Sequence, residues 1–163
     1  MLKLRQMLPV LSLHVSDGRI VRGWDFKQKK NLIIAFLHND CALCAEFLRH
    51  MALRSMTWRE NHAVVLAATL AQPSRVLADS AKEDVIVGVD PSGRAALEFL
   101  GKQSLGPSDL VRPAVFLSDR YGELAAMWEV NGDHNFPEPA EIAKHLQHAE
   151  MSCDSCANPA WED

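Results

Sequence analysis

Apolar positions along the chain fall into short blocks separated by turn residues. Leu32-Ile33-Ile34-Ala35-Phe36-Leu37 is an unbroken apolar run, which suits a strand covered on both faces. Ala63–Ala68 and Val85–Val89 have the same character, and Ala114–Leu117 is a shorter strand. Asp17-Gly18 sits between Val10–Val15 and Ile20–Val21 and predicts a short hairpin. Between the strands the period changes. From Cys41 to about Arg59, Cys44, Phe47, Leu48 and Met51 recur at helical spacing. Pro73 opens a short helix carrying Val76, Leu77 and Ala81, and Arg94–Leu100 is a helix closed by Gly101. Asp119-Arg120-Tyr121-Gly122 is a turn returning the chain into Glu123–Trp128, and Ala140–Gln147 is a last helix behind Pro137 and Pro139. Residues 101–112 read as irregular, and the chain from Ala149 onward as a polar tail. Strands alternating with helices predict an α/β domain with a parallel sheet core and a final antiparallel strand. Trp58, Trp128 and the methionines read as core or core edge.

Composition narrows the function more than the fold. The 163 residues make one domain's worth of chain, 48% hydrophobic and 23% charged, an ordinary globular balance. Lys plus Arg total 17 against 21 Asp plus Glu, a formal charge of -4 with no basic block. That argues against a nucleic-acid partner. No apolar run approaches the ~20 residues of a membrane helix. The N-terminus lacks the apolar core of a secretory signal, so the expectation is a cytoplasmic protein.

The four cysteines form two pairs, Cys41-Ala-Leu-Cys44 and Cys153-Asp-Ser-Cys156. In a reducing compartment such pairs are catalytic or metal-binding more often than structural. The first pair follows a buried strand and a three-residue link, His38-Asn39-Asp40, and opens a helix. At a helix start, unpaired backbone N–H groups and the positive end of the dipole favour thiolate over thiol. The thiolate is the attacking species in thiol–disulfide exchange. Cys41 is therefore the expected nucleophile and Cys44, one turn deeper, the resolving thiol. The competing reading is two small buried residues at a helix start, or a zinc pair.

At these residues the chain resembles the thioredoxin-like superfamily, in its redoxin branch of thiol–disulfide oxidoreductases and peroxiredoxin-like domains. The resemblance runs over about Leu8–His148. It includes Pro9-Val10-Leu11-Ser12-Leu13, Trp24-Asp25-Phe26-Lys27, Asp90-Pro91-Ser92-Gly93 leading to Gly101, and Arg112-Pro113-Ala114-Val115-Phe116-Leu117 with Asp119-Arg120-Tyr121-Gly122. It implies a thioredoxin-like fold: a central mixed β-sheet flanked by helices, here with an N-terminal β-hairpin extension. It implies residues 1–148 as the domain and 149–163 as a tail. It also implies a cis Arg112–Pro113 bond beside the cysteine pair, with Arg112 and Pro113 supporting an extended substrate backbone.

The departures from that pattern shape the functional expectation. Asp40 places a negative charge before Cys41, where the family usually has an aromatic, and no proline lies between the cysteines. His38 and Asp40 are the residues expected to tune the thiols. The peroxiredoxin pattern P-x-x-x-T-x-x-C places Ile34 and His38 before Cys41, or Leu37 and Cys41 before Cys44, so neither cysteine fits. The expected function is a thiol–disulfide oxidoreductase with no organic cofactor. Its partners are a disulfide-bearing protein or small disulfide and a thioredoxin- or glutathione-type reductant. The alternatives are an antioxidant peroxide reductase and a binding module whose cysteines are structural or hold zinc. Cys153 and Cys156 remain open between a second redox pair, a structural disulfide and a metal site with His145 and His148.

Overall fold

The computed structural model of the chain describes residues 1–101, 112–130 and 135–153. Its middle strand, β3 (Asn31–Phe36), is buried at all six positions, as the unbroken apolar run requires. The other strands are β1 (Ser12–Val15), β2 (Ile20–Arg22), β4 (Ala63–Thr69), β5 (Val85–Val89), β6 (Ala114–Ser118) and β7 (Leu124–Glu129). They form one sheet in the order β2-β1-β5-β4-β3-β6-β7. β3 pairs in parallel with β4, and β4 with β5.

The parallel core is as expected, over β3, β4 and β5; the expectation of antiparallel pairing at the final strand alone is corrected, because both flanks are antiparallel. β6 runs against β3, with Ala114 opposite Phe36, and β7 runs against β6. The helix after β5, α4 (Arg94–Leu100), has seven residues and spans only about 10 Å. It does not carry the chain back along the sheet, so β6 starts at the end where β3 finishes. On the other flank, β1 pairs antiparallel with β5, and the β1–β2 hairpin extends the sheet there. A Cβ on Gly88 would lie 2.8 Å from the Leu13 Cβ, so this junction requires glycine.

Alternate β3 side chains enter two cores. Ile33, Ala35 and Leu37 pack with α1 (Ala42–Leu53), Trp58 of α2 (Ser55–Glu60), Leu77 of α3 (Arg75–Asp79), and Ile142 and Leu146 of α5 (Pro139–Cys153). Leu32, Ile34 and Phe36 pack with α4 and with Leu2 and Leu11 of the N-terminal segment. Phe36, Phe99 and Phe116 meet there with ring centroids 5.2–6.0 Å apart.

Three further expectations change. The helix read from Cys41 to Arg59 is two helices, broken at Arg54. The break lets Trp58 turn inward, fully buried, with its indole N–H donating to the Met51 carbonyl at 2.7 Å. The last helix runs to Cys153 rather than Gln147. Its extra turn has tertiary partners: Ala149 is buried, and the Glu150 carboxylate accepts hydrogen bonds from Asn31 and Arg120. Of the methionines, Met51 is buried, whereas Met1, Met7, Met56 and Met151 are exposed.

Candidate functional site

The site forms where β3 ends. The apolar run finishes at Leu37, and polar His38, Asn39 and Asp40 turn the chain out of the sheet. The Asn39 carbonyl accepts the Ser74 N–H at 2.6 Å, which ties this loop to the start of α3. Cys41 is the N-cap of α1, with extended backbone (φ -147°, ψ 120°), and its Sγ accepts the Cys44 N–H at 3.4 Å. A cysteine sulfur thus fills the place that Ser or Asp usually takes, against one of the free N–H groups of the first turn.

The two thiols are unlike. Cys41 is half-buried; Cys44 has no exposed surface, and both are unbonded to any other sulfur. Burial pushes the Cys44 thiol up to about 12, helped by its hydrogen bond with Cys41 and opposed by the His38 backbone N–H, which donates to its sulfur. The His38 ring joins them from the loop: one ring nitrogen and both sulfurs lie within 4.8 Å of one another. Asp40 is exposed beside them.

Cys41 faces a cleft of about 450 Å³ between α1 and α3, lined also by Asp40, Glu46, Arg49, Ser74 and Val76. Val76 lines this face as an exposed apolar side chain, 62% accessible. Glu46, Arg49 and Val76 were not singled out from the sequence. They come from two helices whose contact is tertiary, and no spacing signals it.

Pro113 lies at the same end of the sheet, one residue before Ala114, which is opposite Phe36. The expectation of a cis Arg112–Pro113 bond is corrected: no peptide bond among the described residues is cis. Pro113 acts as a strand-start proline, buried, with its carbonyl accepting the Val130 N–H at 2.9 Å and extending the β6–β7 ladder. Arg112 is exposed.

His145 and His148 are exposed on α5. The His145 ring stands edge-on to Trp128, centroids 5.2 Å apart, and the Trp128 indole N–H donates to Glu141. Cys153 ends α5; its side chain and the whole of Cys156 lie outside the described residues.

Comparison with solved structures decides the architecture. The reduced 2-Cys peroxiredoxin of Plasmodium vivax superposes with a TM-score of 0.75 at 12% identity, over 93% of this chain and 98% of that one. The fold is thioredoxin-like. The peroxidoxin BcpB of Mycobacterium tuberculosis gives a TM-score of 0.71 at 18% identity, over 93% and 98% of the two chains. The thioredoxin domain of a thiol-disulfide oxidoreductase from Bacteroides vulgatus gives 0.63 at 14% identity, over 91% and 98%. No protein-family model matches the chain, and no curated protein matches it by sequence. The thioredoxin-like sheet puts the cysteine pair at the end of a central strand. Among the described residues, no helix is long and apolar enough to cross a membrane.

Proposed function

We propose that the chain is a thiol–disulfide oxidoreductase working through Cys41 and Cys44. The observation that carries this reading is their asymmetry: Cys41 caps α1 at the edge of the cleft, and Cys44 is wholly buried one turn behind it. The Cys41 thiolate attacks one sulfur of a substrate disulfide. A Cys41–substrate bond forms, the substrate S–S bond breaks, and the first substrate thiolate leaves. Cys44 then gives up its proton and attacks Cys41 Sγ. The Cys41–Cys44 disulfide forms and the second substrate thiolate leaves. The substrate gains two electrons and the protein dithiol loses two.

His38 and Asp40 tune this exchange from the preceding loop. The cleft between α1 and α3 receives the substrate, and the Arg112–Pro113 segment supports its backbone from the sheet end. The partners are a disulfide-bearing protein or small disulfide, with a thioredoxin- or glutathione-type reductant to restore the dithiol. The test is turnover of a model protein disulfide with such a reductant. Wild type turns over and Cys41→Ser does not; equal turnover by the two overturns the reading.

Peroxide reduction is the second reading, favoured by the peroxiredoxins among the structural neighbours. His38 stands where that family's pattern has threonine before Cys41, and Ile34 where it has proline. Peroxide consumption by the reduced chain, measured against its disulfide turnover, ranks the two.

A further inference from the structure

Among the described residues, one group of His, Cys, Asp and Glu side chains converges closely enough to hold a metal ion: His38, Cys41 and Cys44. The cysteine pair alone is explained by exchange chemistry; an imidazole closing on both sulfurs is not required by it. In a tetrahedral zinc site, Zn–S bonds of ~2.3 Å and Zn–N bonds of ~2.0 Å put neighbouring donor atoms about 3.5–3.8 Å apart. The three donors here all lie within 4.8 Å of one another, so side-chain adjustments of about 1 Å per pair bring them to that spacing.

We infer that the reduced chain binds one zinc-class divalent ion through His38, Cys41 and Cys44. Two thiolates and an imidazole are soft and intermediate donors that suit zinc, and no carboxylate oxygen joins the group as calcium or magnesium would need. The donor set is supported from behind. The Cys44 N–H donates to Cys41 Sγ, and the His38 N–H donates to Cys44 Sγ. Such hydrogen bonds orient metal thiolates and spread their charge. The three ligands leave a fourth position, and Cys41 borders the cleft, so that position is open to water or to a thiol or carboxylate ligand. Binding releases the two thiol protons as the Zn–S bonds form. It also excludes the disulfide. An oxidising disulfide that takes two electrons from the dithiol forms the Cys41–Cys44 bond, leaves as two thiolates and sets the ion free.

The site stands apart from the oxidoreductase reading, because binding needs no turnover. The experiment uses the full reduced chain, with Zn²⁺ in competition with a chromophoric chelator and Co²⁺ as a spectroscopic stand-in. Every measurement is repeated with Cys153→Ser and Cys156→Ser together, which removes the tail thiols. The expected result is one zinc per chain and the intense visible bands and thiolate charge transfer of four-coordinate Co²⁺. Both persist without the tail cysteines. His38→Ala, checked for folding by circular dichroism, is expected to weaken zinc binding roughly tenfold or more, and oxidation to the Cys41–Cys44 disulfide to abolish it. Zinc that follows the tail cysteines, unchanged affinity in His38→Ala, or weak octahedral Co²⁺ bands overturn the inference. Thiol counting after exposure to a disulfide reads the other question separately. A chain that holds zinc but forms no Cys41–Cys44 bond refutes the oxidoreductase alone; one that forms the bond but holds no zinc refutes the metal site alone.

Discussion

Cys41 and Cys44 are three residues apart, and their environments differ because a helix turns between them. Cys41 remains outside as the cap, and Cys44 enters the core with Leu48 and Met51. That difference predicts selective alkylation. Burial pushes the Cys44 thiol up to about 12, so it is overwhelmingly protonated at pH 8, and the sulfur is shielded as well. Mass spectrometry of briefly alkylated native protein is expected to find Cys41 labelled and Cys44 not; faster labelling of Cys44 reverses the assigned roles. Cys44→Ser is expected to retain attack and lose resolution, so the Cys41–substrate mixed disulfide accumulates and turnover falls by roughly a hundredfold or more. The cysteines and His38 were legible because a strand, a short link and a C-x-x-C pair lie consecutively in the sequence. The cleft residues Glu46, Arg49 and Val76 were not, because α3 reaches α1 through the fold and not through the chain.

Apolar runs gave away β3, β4 and β5, since strands buried on both faces read as continuous hydrophobic blocks. Strand direction was harder to read: β6 looks like any other buried strand, and its antiparallel setting follows from where α4 leaves the chain. The division at Arg54 was hidden for a related reason. The apolar spacing persists through Trp58, and only the need to bury that indole bends the path. Trp58→Phe keeps most of the buried ring but removes the indole N–H from the Met51 carbonyl, which keeps only the Arg54 backbone N–H. The expected loss is about 0.5–1.5 kcal/mol, read as a lower denaturation midpoint at unchanged slope in far-UV circular dichroism. An unchanged midpoint would mean that the hydrogen bond adds nothing to the junction of α1 and α2.

Across the whole molecule, Glu150 joins the last helix to the start of β3 through Asn31 and to the β6–β7 turn through Arg120. Burial pushes its carboxyl up, but the Arg120 hydrogen bond, the Asn31 amide and the Arg120 charge outweigh that and hold it below its ordinary 4.5. A carboxylate depressed in the folded state stabilises the protein above its unfolded value, and that stability is lost as pH falls through the folded value. Glu150→Gln is expected to cost on the order of 1 kcal/mol at pH 7, with the gap to wild type closing below about pH 4.5. Parallel melts from pH 7 down through the acid range check this; a gap that does not narrow as pH falls would mean the pair's charge is not what holds α5. The same anchor sets the range of the second cysteine pair. α5 has its first turn by Trp128, near the active end of the sheet, and delivers Cys153 three residues past Glu150, beyond the start of β3. From that level to Cys41 is about 25 Å along the strand direction. Cys156, three residues further at most ~3.6 Å each, brings a disulfide-forming Cα no more than about 17 Å from the Cys153 Cα. With α5 intact, exchange between the two pairs is therefore expected to run between molecules, at a rate second order in protein. Doubling the concentration is expected to double the observed rate constant for forming Cys41–tail disulfides, and the linked product is expected to run as a dimer on a non-reducing gel.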